Sequence, residues 1–234
     1  MNAADILRLL ADDDRDRLDT LEVFAELGST NSWLLKEAAP AAGRFRVVLA
    51  ENQTEGRGRL GRRWIAPPLS GLCMSVSYTF AETPRQLPSL TLAVGAGVAI
   101  ALRTIGVDDI ALKWPNDLVA RDGKLGGILT EVRPEIGHGR TMVIGLGLNV
   151  DLPEAMRQAP AERWASRIVD LKECVDSLPS RPALAAGILQ CVMAAVTRFE
   201  RDGFAAFHAA WQDCDWLRGK TVRIPQAEED VQGV

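Results

Sequence analysis

The strongest constraint on the fold is a segment in which large side chains alternate with very small ones. The large aliphatic positions are Ile144, Leu146 and Leu148, and the positions between and after them are Gly145, Gly147 and Asn149. Because successive side chains of a strand point to opposite faces, this pattern predicts one packed face and one bare face. A bare face suits a flat apolar ligand that needs one or two polar contacts, and it equally suits a helix packed tightly over the glycines.

A second strand precedes this one and completes an antiparallel hairpin. Residues 125–133 and 141–150 are both strand-like, and the sequence Gly137-His138-Gly139 between them is typical of a turn. The first of these strands contains Gly126 and Gly127. Glycine weakens a strand, which makes sense where a ligand or another backbone comes close.

Lys124 is predicted to have a defined position. The preceding pair, Asp122-Gly123, is a strong hairpin-turn signal. We therefore expect Lys124 to emerge at the start of the strand and to be held in place by it. An ordinary surface lysine beside a bulge explains the same residues equally simply.

Other periodic segments predict a protein of mixed helices and strands. The predicted strands are Phe45–Ala50, Leu72–Phe80 and Thr221–Ile224, the last followed by an acidic turn at Glu228-Glu229-Asp230; the predicted helices are Trp33–Ala38, Leu87–Ile105, Pro182–Arg201 and Phe204–Trp211. In Leu72–Phe80 apolar residues alternate with small, mostly polar ones, which predicts a half-buried strand. Ser29-Thr30-Asn31 offers side-chain oxygens to cap the first of these helices.

Composition limits the functions that the chain can have. With 234 residues, 47% of them apolar, it can bury one sizeable core. Its 27 basic and 31 acidic side chains do not favour general nucleic-acid binding. The four cysteines are too far apart for a CxxC metal site and occur with two histidines. Without a signal-peptide pattern or a run of about 18 apolar residues, we expect a cytoplasmic protein with no membrane segment.

An arginine-rich segment, Gly56–Trp64, follows the first predicted strand. Its nine residues, GRGRLGRRW, contain four arginines and three glycines. Glycines let a backbone approach an anion, and guanidinium groups match phosphate and carboxylate geometry. The segment is not a Walker A loop, because no Gly-Lys-Ser/Thr follows. By itself it is as typical of a flexible basic loop or a nucleic-acid patch as of an anion site.

The sequence Lys113-Trp114-Pro115-Asn116-Asp117 presents polar side chains from a rigid backbone. Pro115 fixes its own φ angle and restricts Trp114 to extended geometry. Lys113, Asn116 and Asp117 are therefore candidates for ligand contacts. The alternative is an exposed turn with Trp114 in the core, which is the commoner fate of such residues taken singly.

Taken together, these segments resemble the catalytic domain of biotin protein ligases. The motifs in chain order are Ser29-Thr30-Asn31, Gln53, GRGRLGRRW, KWPNDL, KLGGIL and GLGLN. The resemblance covers residues 27–150 by motif and continues loosely through the helices that follow. It implies an α+β fold of the class II aminoacyl-tRNA-synthetase and biotin-synthetase-like type, which is a mixed sheet flanked by helices.

The resemblance implies a reaction in two steps. Biotin and ATP first form biotinyl-5′-AMP and release pyrophosphate, and biotin is then transferred to a lysine of a biotin carboxyl carrier protein domain of a biotin-dependent carboxylase. Mg²⁺ is expected with ATP, carried mainly by phosphates and water, and no protein ligand is assigned to it. Because a carboxylate and a triphosphate repel each other, cations must neutralise both.

The resemblance also implies which residues form the site. The expected catalytic residues are Arg59 and Lys124, for the carboxylate and α-phosphate charge, and Asp117, near the incoming lysine or the metal. The expected biotin-binding residues are Ser29, Thr30, Asn31, Gln53, Gly56, Arg57, Lys124, Gly126, Gly127, Gly145 and Gly147. The expected ATP-binding or adenylate-binding residues are Arg57, Arg59, Arg62, Trp64, Lys113, Asn116, Lys124 and Asn149. Closure of the arginine segment would shield the reactive anhydride from water.

Comparison with the family pattern also suggests a domain organisation. We assign residues 1–216 to the catalytic domain and 217–234 to the beginning of a small SH3-like C-terminal barrel, which is incomplete here. Only about 25 residues precede the core, too few for the DNA-binding helix-turn-helix domain of some members, so a repressor role is not expected. An exposed sheet edge often pairs two subunits in this family, which makes a homodimer an expectation.

Three other functions fit parts of the sequence. A lipoate or octanoate protein ligase shares the fold type, but that family builds its pocket from motifs other than GRGR and KWPND. A nucleic-acid binder would use the arginine segment, against the acidic net charge of −4. A biotin-sensing domain without turnover is compatible with an incomplete C-terminal barrel.

Overall fold

A seven-stranded sheet organises the chain in the computed structural model. Its strands in chain order are β1 (Leu18–Phe24), β2 (Phe45–Ala50), β3 (Gly71–Phe80), β4 (Ala111–Lys113), β5 (Asp117–Ala120), β6 (Gly123–Val132) and β7 (Arg140–Asn149). The order across the sheet is β1-β2-β3-β7-β6-β5-β4, with β1 and β2 parallel and the other neighbouring pairs antiparallel. The structure describes residues 1–134, 140–158, 165, 167–224 and 231–233. For residues 223–224 and 231–233 it describes the backbone only.

Helices cover both faces of the sheet. They are α1 (Ala3–Leu7), α2 (Asp12–Asp16), α3 (Thr30–Lys36), α4 (Leu90–Thr104), α5 (Glu154–Arg157), α6 (Leu171–Cys174), α7 (Arg181–Asp202) and α8 (His208–Asp213). α4 and α7 pack on each other and on one face, whereas α3 contacts β2, β3 and β7 on the opposite face. Gly97 allows the close packing of α4 on α7, since a Cβ there would lie 2.9 Å from the carbonyl oxygen of Cys191.

The two long helices are apolar enough to be compared with membrane spans. Residues 87–104 and 181–202 are both long and apolar enough to cross a membrane by length and composition alone, and 56% of each segment is buried inside the fold. Their buried faces contact each other and the sheet, as core helices of soluble proteins do. The two helices are therefore explained by the core, and the expectation of a chain without a membrane segment stays a prediction.

Most predicted elements are confirmed with small shifts. β2 has the predicted bounds, and β6 and β7 pair antiparallel as the predicted hairpin. The helix predicted from Trp33 begins earlier, at Thr30, because the Ser29 side chain caps it and accepts from the Ser32 N–H. The turns predicted at residues 137–139 and 228–230 lie outside the described residues.

The central strand β3 differs from its prediction. We expected a half-buried strand, but both of its faces are buried. Its small polar residues lie under α3, where Ser75 hydrogen-bonds to Thr30 and Asn31. The sequence pattern resembles that of a solvated face because a short helix covers it with polar contacts instead of apolar ones.

The turn before Lys124 is displaced by one residue from the predicted Asp122-Gly123 pair. Arg121 and Asp122 occupy it with φ angles of 48° and 54°, and Gly123 already belongs to β6. Two successive left-handed φ angles are those of a type I′ hairpin turn. Gly123 is required for a different reason, because a Cβ there would overlap the side chain of Val169.

A separate two-stranded sheet forms near the C-terminus. The strand predicted at Thr221–Ile224 is confirmed as β8 (Val222–Ile224), which pairs antiparallel with β9 (Val231–Gly233). The preceding segment is tied to β4, since the Leu112 N–H donates to the carbonyl oxygen of Cys214 at 2.7 Å. The domain division at residue 216 and the SH3-like barrel stay predictions.

Candidate active site

A pocket between α3, the arginine segment, β6 and β7 collects most of the predicted site residues. Its empty space is about 710 Å³ including the open mouth. The predicted residues that line it are Ser29, Thr30, Asn31, Gln53, Arg57, Arg59, Arg62, Trp64, Asn116, Asp117, Lys124, Gly127, Gly145 and Gly147.

One end of the pocket, termed the polar end, consists of Ser29, Thr30, Asn31, Gln53 and Ser75. The backbone N–H and the hydroxyl of Thr30 contact Oε1 of Gln53 at 2.8 and 3.1 Å. Ser75 Oγ lies 2.7 Å from Thr30 Oγ1 and 2.6 Å from Asn31 Oδ1. Because α3, β3 and the residues after β2 hold these groups, the polar end offers fixed neutral donors and acceptors.

The glycine face of β7 forms the pocket floor, but it is not bare. A Cβ at Gly145 would overlap the amide of Asn31, and a Cβ at Gly147 would overlap the indole of Trp64. Both glycines nevertheless line the pocket. Close packing over the glycines is therefore confirmed, and their role as a ligand floor stays a prediction.

The arginine segment folds back on itself beside the pocket. The Trp64 N–H donates to the carbonyl oxygen of Gly56 at 2.9 Å. Gly56 allows this return, because a Cβ there would overlap the carbonyl oxygen of Trp64. At the tip is a short 3₁₀ turn, where Leu60 has a φ of 57° and is 86% exposed.

Lys124 and Asp117 form an ion pair at the cationic end, which consists of these two residues with Arg59 and Arg62. Lys124 Nζ lies 2.9 Å from Asp117 Oδ1, and the Asp117 side chain is 7% exposed. A β-bulge sets the direction of the Lys124 side chain, because Leu125 has no partner in β5 between the paired residues Lys124 and Gly126. The bulge brings Lys124 to the pocket.

Asn116 is fixed by the backbone of β6. Its Nδ2 donates to the carbonyl oxygen of Ile128 at 3.0 Å, and its own carbonyl oxygen accepts from the Ile128 N–H at 2.9 Å. Its Oδ1 lies 3.5 Å from Nη1 of Arg59. The preceding Trp114–Pro115 peptide bond is cis, and Trp114 is 54% exposed, so the alternative of a core tryptophan is wrong.

Gly126 and Asn149 do not line the pocket, so the direct contacts predicted for them gain no support from their positions. A Cβ at Gly126 would lie 2.6 Å from the carbonyl oxygen of Gly147, so Gly126 serves strand packing. Asn149 is buried and donates to the carbonyl oxygens of Lys124 and Val169 at 3.3 and 3.0 Å. Asn149 therefore fixes the backbone behind Lys124.

Gly56 and Lys113 also lie off the pocket wall. Gly56 shapes the return of the arginine segment and borders an adjoining outer groove. Lys113 lies at the end of β4 in a cleft under α4, with Nζ 3.4 Å from the carbonyl oxygen of Trp114. The direct ligand contacts predicted for these two residues gain no support from their positions.

Sequence reasoning missed Ser75 and Glu131. Ser75 completes the polar end, and Glu131 in β6 contacts both Arg57 and Asn31. The alternation of each strand contained the signal, because Ser75 lies opposite Gly145 in the sheet register and Glu131 is in phase with Gly127 on β6. Ser75 and Glu131 lie behind the pocket wall, and the lining residues outside the prediction are Gly58, Arg63, Ile128, Leu129 and Leu146.

Cys73 lies on β3 behind the pocket and is buried. Burial raises the pKa of its thiol to about 11, against smaller opposite effects of the Gln53 and Trp64 side chains. A thiol that stays protonated at neutral pH is a poor nucleophile. The pocket is therefore not suited to acyl transfer through this cysteine.

Comparison with known proteins assigns the site to a family. A family model described as the biotin/lipoate A/B protein ligase family matches residues 27–149, which contain the polar end, the arginine segment and the glycine floor. The chain belongs to this family.

Its relatives include biotin ligases. The chain is 36% identical to the biotin–[acetyl-CoA-carboxylase] ligase of Mycobacterium tuberculosis, a match that covers 92% of this chain and 78% of the relative. It is 30% identical to the bifunctional ligase/repressor BirA of Escherichia coli, where the match covers 92% of this chain and 65% of the relative. The chain thus spans less than two thirds of the length of that second family member.

A solved structure shares the architecture. The biotin protein ligase from Aquifex aeolicus in complex with biotin and ATP is 25% identical, with a TM-score of 0.72 over 93% of this chain and 85% of that chain. These matches confirm the predicted resemblance to biotin protein ligases and the predicted mixed sheet flanked by helices.

Proposed function

We propose that this chain activates biotin with ATP, forms biotinyl-5′-AMP and pyrophosphate, and transfers biotin to a lysine of a biotin carboxyl carrier protein domain. One observation carries the proposal: a single pocket has a neutral polar end and a cationic end. Biotin has the same polarity, with a neutral ureido ring at one end and a carboxylate at the other. The names of the relatives and the complex with biotin and ATP support the same reaction.

The polar end suits the ureido ring. A ureido group has two N–H donors and one carbonyl acceptor, and it needs partners for them when it leaves water. Ser29, Thr30 and Gln53 supply hydroxyl and amide groups at fixed positions. The fused rings of biotin are otherwise apolar, and Trp64 and Leu146 line the pocket and offer them apolar contacts.

The cationic end suits adenylation. A carboxylate oxygen of biotin attacks the α-phosphorus of ATP, the bond to the β-phosphate oxygen breaks, and pyrophosphate leaves. Lys124 and Arg59 would neutralise the two anions and the charge that develops at the α-phosphate. Asp117 keeps the Lys124 ammonium in place through their 2.9 Å contact.

Asp117 is placed to act in the transfer step. The carrier lysine, as a free amine, attacks the carbonyl carbon of the anhydride, an amide forms and AMP leaves. A carboxylate beside the anhydride can accept the proton that the amine loses. Asp117 lines the pocket, which supports a position near the incoming lysine.

Mg²⁺ would enter the site together with ATP. Among the residues that the structure describes, no group of three or more His, Cys, Asp or Glu side chains could hold a metal ion. Phosphate oxygens and water would therefore supply most of its ligands, as is usual for Mg²⁺ bound with a nucleotide. Asp117 at the cationic end and Asn116 beside it line the pocket and carry side-chain oxygens that could add to them.

The arginine segment would close over the adenylate and exclude water from the anhydride. Arg57, Arg59 and Arg62 all line the pocket, which supports an anion site in preference to a nucleic-acid patch on the outer surface. A cytoplasmic location, a carboxylase carrier domain as partner and a homodimer belong to the same proposal.

The test is ATP–pyrophosphate exchange by the 234-residue chain with biotin, lipoate or octanoate supplied in turn. We expect exchange with biotin, followed by addition of one biotinyl group to a carrier domain in a mass spectrum. Exchange with lipoate or octanoate instead would replace the proposal by its nearest rival, since the family model includes lipoate ligases. Binding of biotin by calorimetry without exchange would contradict catalysis by this chain and favour a biotin-sensing domain.

A further inference from the structure

Glu131 lies behind the pocket wall, where β6 passes both the arginine segment and α3. Its carboxylate oxygens lie 2.7 and 3.2 Å from two guanidinium nitrogens of Arg57, and it accepts from Nδ2 of Asn31 at 2.9 Å. Arg57 and Asn31 line the pocket, whereas Glu131 borders the adjoining outer groove. Glu131 therefore acts on the pocket through these two neighbours.

Asn31 has a fixed orientation. Its Nδ2 also donates to the carbonyl oxygen of Leu129 at 3.2 Å, and its Oδ1 lies 2.6 Å from the Ser75 hydroxyl. A serine hydroxyl has one proton and Asn31 Oδ1 has none, so Ser75 donates to Asn31. The Thr30 hydroxyl lies within hydrogen-bond distance of both Ser75 Oγ and Gln53 Oε1. A chain of hydrogen bonds thus links Thr30, Ser75, Asn31 and Glu131.

Arg57 differs from its neighbours in the arginine segment. It makes a two-point contact with a carboxylate, a geometry that both orients the guanidinium group and neutralises its charge. The contacts of Arg59 and Arg63 go to neutral oxygens, Asn116 Oδ1 at 3.5 Å and the Thr54 carbonyl at 3.3 Å. The charge of Arg57, unlike those of Arg59 and Arg63, is thus paired with a carboxylate of the protein.

We propose that Glu131 is a positioning residue that ties the arginine segment to the polar end through Arg57 and Asn31. Arg57 is the anchor of the segment, and Arg59 and Arg62 act on phosphate. Glu131 thus links the polar end to the base of the arginine segment. The kinetic consequences rest on the proposed function, whereas the placement of the segment does not.

The experiment compares Glu131→Gln, Arg57→Gln and the double variant with the unaltered chain. Glu82→Gln is the matched control, because Glu82 is an exposed glutamate in the bend after β3. Tryptic cleavage after Arg59, Arg62 and Arg63 is followed without substrates, since these sites are common to all variants. The KM values for biotin and ATP and kcat are measured by pyrophosphate exchange.

We expect each single variant to speed cleavage of the segment and to raise the KM for biotin by about tenfold, as for loss of a charge-assisted contact. The value of kcat at saturation should change little, because neither residue touches the reacting atoms in this proposal. The double variant should be no worse than the more affected single variant, because both substitutions remove the same contact. Glu82→Gln should behave as the unaltered chain.

Two results would overturn the proposal. An unchanged cleavage rate and an unchanged KM for biotin in Glu131→Gln would show that the contacts of Glu131 do not position the segment. Effects on the KM that multiply in the double variant would show that Arg57 acts independently of Glu131, on ATP. If Glu131→Gln fails to fold, Arg57→Gln tests the same contact from the other side. The Arg57 side chain is 44% exposed, against 21% for Glu131. Absence of exchange by the unaltered chain would count against the proposed function alone, because the cleavage assay still decides the role of Glu131.

Discussion

The two ends of the pocket are built in different ways. The polar end is assembled from α3 with its N-cap Ser29, from β3 and from the residues after β2. The side chains of Thr30, Asn31, Gln53 and Ser75 are hydrogen-bonded to one another. Four of its five residues are buried. The arginine segment is held by backbone returns at its base, and Arg59, Leu60 and Arg62 near its tip are exposed. One pocket thus combines a buried, hydrogen-bonded end with a segment whose tip is exposed to solvent.

This difference separates recognition from chemistry. Neutral hydrogen-bonding groups discriminate between ligands when they are fixed, because a ligand that lacks the right groups leaves them unpaired. Cations that must meet a triphosphate and then release pyrophosphate benefit from a segment that can open and close. Substitutions at the polar end should therefore change acid binding and stability, and substitutions at the cationic end should change turnover.

The largest effect is expected at Lys124, which belongs to the cationic end but is held by the sheet. Lys124→Ala should lower the rate of exchange by about a thousandfold, because removal of a fixed donor to a developing charge costs that much in other enzymes. Biotin binding by calorimetry should weaken far less than exchange, and the thermal unfolding midpoint should change little.

Lys124→Arg serves as the control for charge. It keeps a cation next to Asp117 but changes its geometry, so partial activity is expected. An unfolded Lys124→Ala protein would show that the ion pair stabilises the fold. A loss confined to biotin binding would show that Lys124 contributes to recognition of biotin and not to the adenylation step.

The next largest effect is expected on the free energy of unfolding, which substitutions at the polar end should lower more than substitutions at the cationic end. Asn31→Ala should lower the free energy of unfolding by about 2 kcal/mol, or the melting temperature by about 4–8 °C, because it leaves buried partners unsatisfied. Arg59→Ala, at an exposed position, should change it by less than about 0.5 kcal/mol. Equal losses in the two variants, measured by calorimetric unfolding, would remove the structural contrast between the ends.

The same contrast explains how much the sequence could predict. The alternation in β7 and the ordered motifs indicated the sheet, the glycine floor and most of the pocket, because these depend on local period and spacing. The bulge at Leu125 was not predictable from the Asp122-Gly123 pair, because that pair indicates a turn but not that Gly123 lies within β6 against Val169. Glu131 was missed because its partners lie about 74 and 100 residues away in the chain.

The smallest effect is expected at Ser75, where the structure supplies a matched control on the same face of β3. Ser75→Ala should raise the KM for biotin by about tenfold, since it removes the hydroxyl that joins Thr30 to Asn31. Ser77→Ala removes an equally buried hydroxyl two residues further from the pocket and should leave that KM unchanged. The KM for ATP should stay the same in both variants, because neither hydroxyl reaches the cationic end. Equal changes in the KM for biotin in the two variants would mean that burial of a serine on this face, and not its place in the polar end, controls biotin binding. A rise in the KM for ATP with Ser75→Ala would show that loss of the hydroxyl affects the arginine segment through Asn31 and Glu131.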